Sequence, residues 1–453
     1  MFSAFSFCDK ETWKQQAENE LGEKKEKIKS IQITSELALD AYYTAKDLDP
    51  ELVSEVQNCQ KKIPGWLNTP LIRLENPGET NARIKHALLA GADAILLRID
   101  QSDVRNAELS KTLHSVKLCD TPVFFQTAIN SEKIFEEVSR GAGYYMKGGF
   151  ANDPLANWMR SGNDFSESVG HVCKTLNKTK MMREFRPFMV ESHVYHDAGA
   201  DVVQELAWLL SSAVFYFDTI TDAGISPVYA LNRFFYSVSV GPEYLTEIAK
   251  LRALRYLHKK IGQAYQIPQE LCNSYVHTQT SGFYTAVHTP ETNIIRAASE
   301  AMSATAGCCD ALTILPFDQF SDSPNEFSDR VARNVSSLLS EEACMTRVAD
   351  PAAGSYQLEM MTIGIAEAAW NLFLETEEKG GIVAAFEQGF VKKEIDKSWQ
   401  QKRKDLREGK IFVGVNKYGP AEKTKENEYI NAAAVTDSEG YRWLTAKNLS
   451  EHW

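Results

Sequence analysis

The chain of 453 residues carries a net charge of -12, and 43% of its residues are hydrophobic and 24% charged, which is typical of a soluble globular protein of one large domain or two to three ordinary ones. Its negative charge disfavours binding to phosphate backbones, so we expect no nucleic-acid partner. No stretch approaches about 18 consecutive apolar residues, and no basic region precedes an apolar one at the N-terminus. We therefore predict no membrane span and no secretion signal, and we place the protein in the cytoplasm.

The cysteines indicate neither a zinc site nor a disulfide framework. All eight are scattered without a C-x-x-C pair, so we expect small, reduced, buried residues. The adjacent Cys308 and Cys309 fit packing better than a redox pair.

Residues 1–65 are polar and helical in pattern, and we interpret them as an N-terminal arm. From Trp66 onward, short apolar runs alternate with amphipathic segments, which favours parallel strands with crossover helices. The seven runs are "ADAILLRID", "TPVFFQTAIN", "GYYMKGGF", "FRPFMVESHVY", "RFFYSVSV", "SYVHTQTSG" and "ALTILPFDQ". With an eighth strand from "CMTRVADPAAGSYQLE", the sequence predicts an α/β fold, a TIM (β/α)8 barrel, with an open doubly wound sheet as the alternative.

Two helix starts are well marked. "DAGADVVQELAWLLSSAVFYF" has a carboxylate at its start, and "TPETNIIRAASEAM" offers Thr289 as N-cap, Pro290 as first helical residue and Glu291 in the first turn. Residues 419–453 are polar, and we expect an extended or loosely packed tail.

Polar residues at the strand ends are candidates for a site in such a barrel. His277 and Gln279 lie two apart on a strand and share a face, with Ser281 following them. They could hold a substrate carbonyl, or His277 could be a hydrogen-bonded core residue. The other strand-end candidates are Asp100, Thr127, Asn152, His193 and Arg233.

Other candidate motifs have ordinary structural explanations. Glu300 follows Arg296 by four residues, so an ion pair is its default interpretation. His193 and His196 form an H-x-x-H, but positions three apart on a strand face opposite ways and no third ligand is evident, so we predict no metal site. Neither a G-x-S-x-G motif nor a pair of carboxylates for glycoside chemistry stands out, and the residues alone leave the reaction type open.

Five ordered blocks between Gly65 and Tyr418 resemble one family. The blocks "DAGADVVQELAWLL", "YLTEIAKLRALRYL", "HTQTSG" with "NIIRAASEAMSAT", "DRVARNVSSLLSEEACMTRVADPAAGSYQLEMMT" and "IFVGVNKY" are similar to the substrate-binding barrel of the adenosylcobalamin-dependent acyl-CoA mutases, of which methylmalonyl-CoA mutase is one. The segments "ETWKQQAENELG" and "AYYTAKDL" resemble the start of the small subunit of its heterodimeric bacterial form.

The resemblance implies a barrel that threads the pantetheine arm of CoA along its axis, with cobalamin carried by a separate domain through an Asp-x-His-x-x-Gly motif. This sequence has no such motif, so we expect no cobalamin-binding C-terminal domain and no cofactor bound by this chain alone. We expect residues 1–65 to form the arm, 66–418 the barrel and 419–453 the tail.

At the family's catalytic positions the resemblance implies losses. Val194 stands where the family has its histidine, with His193 one place earlier, and Glu75 stands where it has its tyrosine. Gly149 and Ala151 replace a threonine and a glutamine. The residues that match the family's substrate pocket are Arg73, Arg233, His277, Gln279, Ser281, Gly282 and Glu300.

These matches and losses predict a noncatalytic small subunit of a methylmalonyl-CoA mutase, inactive in isolation, which pairs with a large subunit that binds adenosylcobalamin. Two alternatives stay open. One is the barrel of a split acyl-CoA mutase that uses a separate cobalamin protein, and the other is an acyl-CoA binding module.

Overall fold

The structure is a computed structural model that describes residues 8–22, 30–100, 108–127, 131–142, 145–320, 326–419 and 443–452. Part of the predicted arm and most of the predicted tail lie outside these ranges. Among the helices within them, none is both long and apolar enough to cross a membrane. All eight cysteines are free, and Cys308 and Cys309 are buried.

The strands are short, as is usual for parallel sheets with helical connections. In chain order they are β1 Ile31–Gln32, β2 Ala38–Leu39, β3 Leu67–Asn68, β4 Leu71–Arg73, β5 Ile95–Ile99, β6 Val123–Thr127, β7 Gly148–Ala151, β8 Phe185–Arg186, β9 Phe188–Glu191, β10 Phe234–Val240, β11 Val276–Thr280 and β12 Ala311–Thr313.

Helices follow most of these strands. They are α1 Lys10–Leu21, α2 Pro50–Asn58, α3 Pro77–Leu89, α4 Leu109–Thr112, α5 Ser131–Ala142, α6 Pro154–Ser161, α7 Ser166–Lys178, α8 His193–Ala198, α9 Val202–Asp222, α10 Pro227–Leu231, α11 Tyr244–Ala264, α12 Thr292–Ala306, α13 Glu326–Glu341, α14 Tyr356–Glu378, α15 Gly381–Glu387 and α16 Phe390–Arg407.

Two five-stranded parallel sheets form the centre of the molecule. One has the order β3-β12-β11-β10-β9 and the other β4-β5-β6-β7-β8. The chain passes from one sheet to the other at two places, across Thr69 and Pro70 between β3 and β4, and across Pro187 between β8 and β9. Because proline has no N–H to donate, each crossing interrupts the ladder of hydrogen bonds.

The seven predicted strands are present, but the segment predicted as the eighth is not a strand. Within "CMTRVADPAAGSYQLE" a short 3-10 helix covers Met345–Arg347, and the Ser355 side chain accepts from the N–H of Leu358 to start α14. Pro351 and Gly354, whose φ is +81°, favour a turn there. The remaining strands of the two central sheets are β3 and β4, whose alternation in "LNTPLIR" is hidden by Pro70.

The inner faces of the two sheets pack against each other, and their outer faces pack against helices. Leu96 and Phe124 of one sheet share a cluster with Met189 and Phe235 of the other. Residues of the opposite parity, such as Val190, Val238 and Phe234, join the large core that α9, α11 and α14 cover. This alternation is what a sheet buried on both faces requires.

Of the two helix starts predicted from capping residues, that of α9 is found as predicted and that of α12 is not. The Asp201 side chain caps α9 by accepting from the N–H groups of Val203 and Gln204. The Gln204 side chain in turn accepts from the backbone N–H of Asp201. In contrast, α12 begins at Thr292 and not at Pro290. The hydroxyl of Thr289 donates instead to the carbonyl of Gly414.

Residues 443–452, which we call the strap, lie across the loops at the carboxyl ends of the strands. The N–H of Leu444 donates to the carbonyl of Met159, and the N–H of Leu449 donates to that of Phe283, both at 2.9 Å. Leu444 and Leu449 are buried. The strap therefore joins the C-terminal part of α6 to the loop after β11.

Candidate functional site

A cleft of about 440 Å³ opens at the carboxyl ends of the strands. Of the residues predicted to bind substrate, Arg73, Gln279 and Gly282 line it. Arg73 and Arg98 are neighbours, because β4 and β5 pair in register at these positions, and Gln126 continues the row on β6. The cleft therefore presents guanidinium and amide groups, which can bind an anion or a carbonyl oxygen.

His277 lies below the cleft in a closed network of hydrogen bonds. Its Nε2 is 2.8 Å from the Thr313 hydroxyl, and its Nδ1 is 2.8 Å from the Ser237 hydroxyl. The same hydroxyl is 2.7 Å from Nε2 of His193, whose Nδ1 is 2.6 Å from the hydroxyl of Ser239. Both imidazoles are thus fully engaged by the protein.

The donor and acceptor in each hydrogen bond of this network can be assigned by starting from Thr313. Thr313 donates its hydroxyl to the carbonyl of Thr69, so its oxygen must accept from Nε2 of His277, and Nδ1 of His277 must accept from Ser237. By the same reasoning His193 donates through Nε2. Burial lowers the pKa of His277 to about 3 and also lowers that of His193, so both rings are neutral and each nitrogen has one role.

A second network surrounds His196. Its Nδ1 is 2.7 Å from a carboxylate oxygen of Glu205, and its Nε2 is 2.7 Å from the hydroxyl of Ser281. Lys250 lies 3.3 Å from Glu205 and 2.6 Å from Glu247. Burial alone would raise the pKa of Glu205, but Lys250 and His196 outweigh it and lower it to about 2. Lys250 and Glu205 therefore form a buried ion pair, and the His196 ring is held by its hydrogen bond to the same carboxylate.

His193 and His196 lie in the short helix α8 and not on a strand, which corrects the sequence interpretation. They face different partners, and among the described residues no group of three or more His, Cys, Asp or Glu side chains could hold a metal ion. The helix sends His193 towards Ser237, while Val194 packs into the large hydrophobic core.

Glu300 does not form the expected ion pair with Arg296. One carboxylate oxygen accepts from the backbone N–H of Ser281 at 3.1 Å, and no described group donates to the other, which is buried. Arg296 instead donates to Asn293 and to the carbonyl of Val413. Burial raises the pKa of Glu300 well above its ordinary value, so the buried group is a neutral carboxylic acid.

The space between the two sheets is filled by side chains. The rings of Phe124 and Phe235 meet at 5.2 Å, and the Arg186 guanidinium lies 4.1 Å from the centre of the Tyr275 ring. The void that remains is about 10 Å³, no more than one water molecule needs. Its lining includes Thr69, Leu96, Ala151, Met189, His193, Ser237, His277 and Gln279. The space has no room for a ligand.

The two positions implied to have lost catalytic residues differ in setting. Val194 is buried among apolar side chains and offers no donor. Glu75 is exposed at the cleft, so its charge stays in contact with solvent and incurs little desolvation cost. At Gly149 a Cβ would lie 2.1 Å from the carbonyl of Arg186, which excludes a side chain there.

Arg233 lies at the opposite end of the sheet from the cleft. It precedes β10, and its guanidinium donates to the carbonyls of Thr179 and Phe185 and to the hydroxyl of Tyr229. The structure therefore brings Arg73, Gln279 and Gly282 together at the cleft, places His277, Ser281 and Glu300 in the networks beneath it, and does not bring Arg233 to it.

Sequence reasoning missed Lys250, Glu205 and Gln126. Lys250 interrupts the buried face of α11 with a charge, and this interruption was the available signal. Its partner Glu205 is 45 residues away in the chain, so spacing could not identify the pair.

The family model and the related proteins that match this chain carry the same family name. A family model described as methylmalonyl-CoA mutase matches residues 135–447. A methylmalonyl-CoA mutase small subunit from Porphyromonas gingivalis is 27% identical over 439 residues, which is 92% of this chain and 71% of that protein. One from Streptomyces virginiae is 29% identical over 392 residues, 83% of this chain and 63% of that protein.

Among solved structures, a dihydropteroate synthase from Coxiella burnetii aligns with a TM-score of 0.33 at 11% identity, covering 62% of this chain and 95% of the other. The match to the family model covers more than half of the chain, and the chain therefore belongs to the methylmalonyl-CoA mutase family.

Proposed function

We propose that this chain is the small, noncatalytic subunit of an adenosylcobalamin-dependent methylmalonyl-CoA mutase, and that it acts in the cytoplasm bound to a large subunit. Two relatives named as small subunits align over most of the chain. The observation that carries the noncatalytic role is the filled space between the sheets, with a void of about 10 Å³. A pantetheine arm could not pass through it.

The proposed architecture is a closed barrel. If β3 with β4, and β8 with β9, each count as one interrupted strand, the two sheets give a ring of eight parallel strands in chain order. The N–H of Thr69 donates to Leu312 and the N–H of Met189 donates to Asn152, which supports continuity at both crossings. On this proposal residues 1–65 are an arm, 66–418 the barrel and 419–453 a tail.

The residues that line the cleft at the strand ends argue against a site for adenosylcobalamin there. The cleft of about 440 Å³ is at the small end of the range for drug-sized ligands, about 300–1,000 Å³, and a corrin is far larger. No histidine is among the residues that line it, and Val194 supplies no donor for a thioester carbonyl. We therefore assign cofactor and chemistry to the large subunit and derive no step through the cofactor in this chain.

The retained residues have a structural role on this proposal. The imidazoles of His193, His196 and His277 bond to protein groups, so they stabilise the interior instead of contacting a substrate. A fold can keep its core and interfaces after its site has changed, because the two are separate sets of positions.

The test is the composition and activity of the complex recovered with this chain. We expect a one-to-one assembly with a longer mutase subunit, which converts methylmalonyl-CoA to succinyl-CoA when adenosylcobalamin is added, while the isolated chain is inactive. Recovery of the chain alone or as a homo-oligomer, or activity with only a separate cobalamin protein, would contradict the proposal.

A second measurement tests the filled interior directly. Acetyl-pantetheine carries neither phosphate nor carboxylate, so it probes the space between the sheets without engaging surface cations. We expect no heat when it is titrated into the isolated chain. Saturable binding would support an acyl-CoA binding module instead.

A further inference from the structure

A second cavity, of about 420 Å³, lies outside the sheets between α3 and α13. Its apolar walls come from the strands and from both helices, namely Pro70, Leu71, Ile72, Ala82, Ala87, Ile314, Pro316 and Ala332. Arg83, His86 and Arg333 add basic groups, and Glu326 and Asp329 add acidic ones. We call it the lateral cavity. It is large enough for a small organic molecule.

Arg333 is the unusual residue of the lateral cavity. It is only 7% exposed, and its Nε, like those of Arg233, Arg252 and Arg255, is buried without an acceptor. Within the described ranges, its guanidinium forms neither a hydrogen bond nor an ion pair. Its backbone carbonyl accepts from Asn68, which fixes the helix but leaves the charge uncompensated.

Other buried arginines of this protein are compensated. Arg252 pairs with Asp350 and Glu359, Arg255 pairs with Asp310, and Arg233 donates to carbonyl oxygens. Burying a charge without a partner is costly. Arg333 therefore differs from these three arginines, and an anion in the cavity would supply the acceptor that it lacks.

The acidic groups at the lateral cavity do not serve this purpose. Asp329 pairs with Arg83 at 3.0 Å. Glu326 lies in the first turn of α13 and is exposed. The free guanidinium thus faces apolar walls, a combination suited to a ligand with an anionic head and an apolar body.

We propose that the lateral cavity binds a small organic oxyanion, a carboxylate or phosphate monoester with a short apolar chain, whose head group pairs with Arg333. The guanidinium offers two parallel N–H donors to either head group. The cavity shares Leu71, Arg83, Pro316 and Asp329 with the cleft at the strand ends. A bound molecule would therefore lie against the Arg83–Asp329 ion pair that separates the two spaces.

The proposal is tested by titrating the isolated full-length chain with hexanoate, hexyl phosphate, inorganic phosphate and hexanol, using calorimetry and thermal unfolding. We expect hexanoate or hexyl phosphate to bind with one-to-one stoichiometry and to raise the melting temperature. Comparison of these two identifies the preferred head group. Inorganic phosphate and hexanol, each lacking one half of the ligand, should bind at least tenfold more weakly.

Variants locate the site. Arg333→Gln should weaken binding of the preferred anion at least tenfold, and in the absence of ligand it should be as stable as the parent or more so, because it removes an unpaired buried charge. Arg330→Gln is the matched control, since Arg330 lies on the same helix and is exposed. It should bind like the parent.

Ala332→Leu fills the lateral cavity without changing its charge, and it should also abolish binding, which keeps the test decisive if Arg333→Gln fails to fold. The proposal is overturned if none of the four probes binds the parent chain. It is also overturned if Arg333→Gln and Ala332→Leu both bind the anion as tightly as the parent. Neither result depends on the subunit role, because no partner or mutase activity enters the assay.

Discussion

His193 and His277 are joined through a single hydroxyl group, that of Ser237, which is 2.7 Å from one imidazole and 2.8 Å from the other. The hydroxyl accepts from His193 and donates to His277, so it completes one hydrogen bond of each imidazole. The two histidines therefore depend on Ser237 for their stability in the interior.

Ser237→Ala should destabilise the protein by about 2 kcal/mol or more, because it leaves a donor of His193 and an acceptor of His277 unsatisfied, and each buried unsatisfied group costs about 1–3 kcal/mol. Urea unfolding of the isolated chain measures the change. The exposed Ser161 donates to the carbonyl of Asn157 in α6, and Ser161→Ala should change the free energy of unfolding by less than about 0.5 kcal/mol. Equal effects of the two substitutions would argue against the network.

Lys250→Met should cost about 3–5 kcal/mol near pH 7, because it leaves the buried Glu205 without its cation. The pKa of Glu205 is lowered from an ordinary 4.5 to about 2 in the folded protein. Its contribution to stability is therefore present above pH 4.5 and is lost as the pH falls towards 2. The deficit of the variant should shrink over that range in denaturation curves.

Lys404→Met is the control for this substitution. Lys404 is exposed and pairs with Glu408 at 3.8 Å, so we expect a change below about 0.5 kcal/mol with little pH dependence. A deficit of Lys250→Met that stays constant from pH 7 to pH 3 would show that the lost lysine acts through packing and not through its charge.

Glu300→Gln should stabilise the protein at pH 8, since the neutral amide has no charge to be buried while burial disfavours the ionised form of Glu300. The folded pKa of Glu300 is raised, so its favourable contribution is full below the unfolded pKa and is lost as the pH rises through the folded value. The difference in stability between Glu300→Gln and the parent should become smaller towards pH 5. Melting temperatures at the two pH values measure it, and lower stability of Glu300→Gln at pH 8 would refute a neutral buried acid.

Phe235→Ala should cost about 3–5 kcal/mol and open a cavity between the sheets. Apolar cavities of this kind stay dry and take up benzene, so saturating benzene should raise the melting temperature of the variant and leave that of the parent unchanged. Phe327→Ala, at an exposed position, is the control. Binding of benzene by the parent would mean that the interior is not filled.

The seven central strands could be predicted because each is a short apolar run followed by a helical pattern. β3 and β4 were missed since Pro70 divides a strand into two pieces of two and three residues. The segment at His193 was predicted as extended, but it forms the short helix α8 directly after β9. Gly199, with φ of 108°, allows this helix to end after less than two turns. Residue periodicity does not distinguish a strand end from a single helical turn.

The site was less predictable than the fold. Motifs identified His277, Gln279 and Ser281, but whether these side chains face a cleft or bond to one another depends on partners from other strands. Ser281 and His196 are separated by 85 residues. No pattern in the sequence indicates that the Arg333 guanidinium is unpaired. The lack of an acceptor among the described residues can be seen only in the folded structure.

The strap has a consequence for the order of folding. Asn448 donates to the carbonyl of Gly282 across 166 residues, and contacts of such range form slowly because a long loop must close first. During synthesis the end of α6 and the loop after β11 therefore stay uncovered until the strap has left the ribosome. A nascent chain halted after residue 442 would have the strands of both sheets complete and its carboxyl-end loops exposed, and it is at this stage that we expect chaperones to bind it.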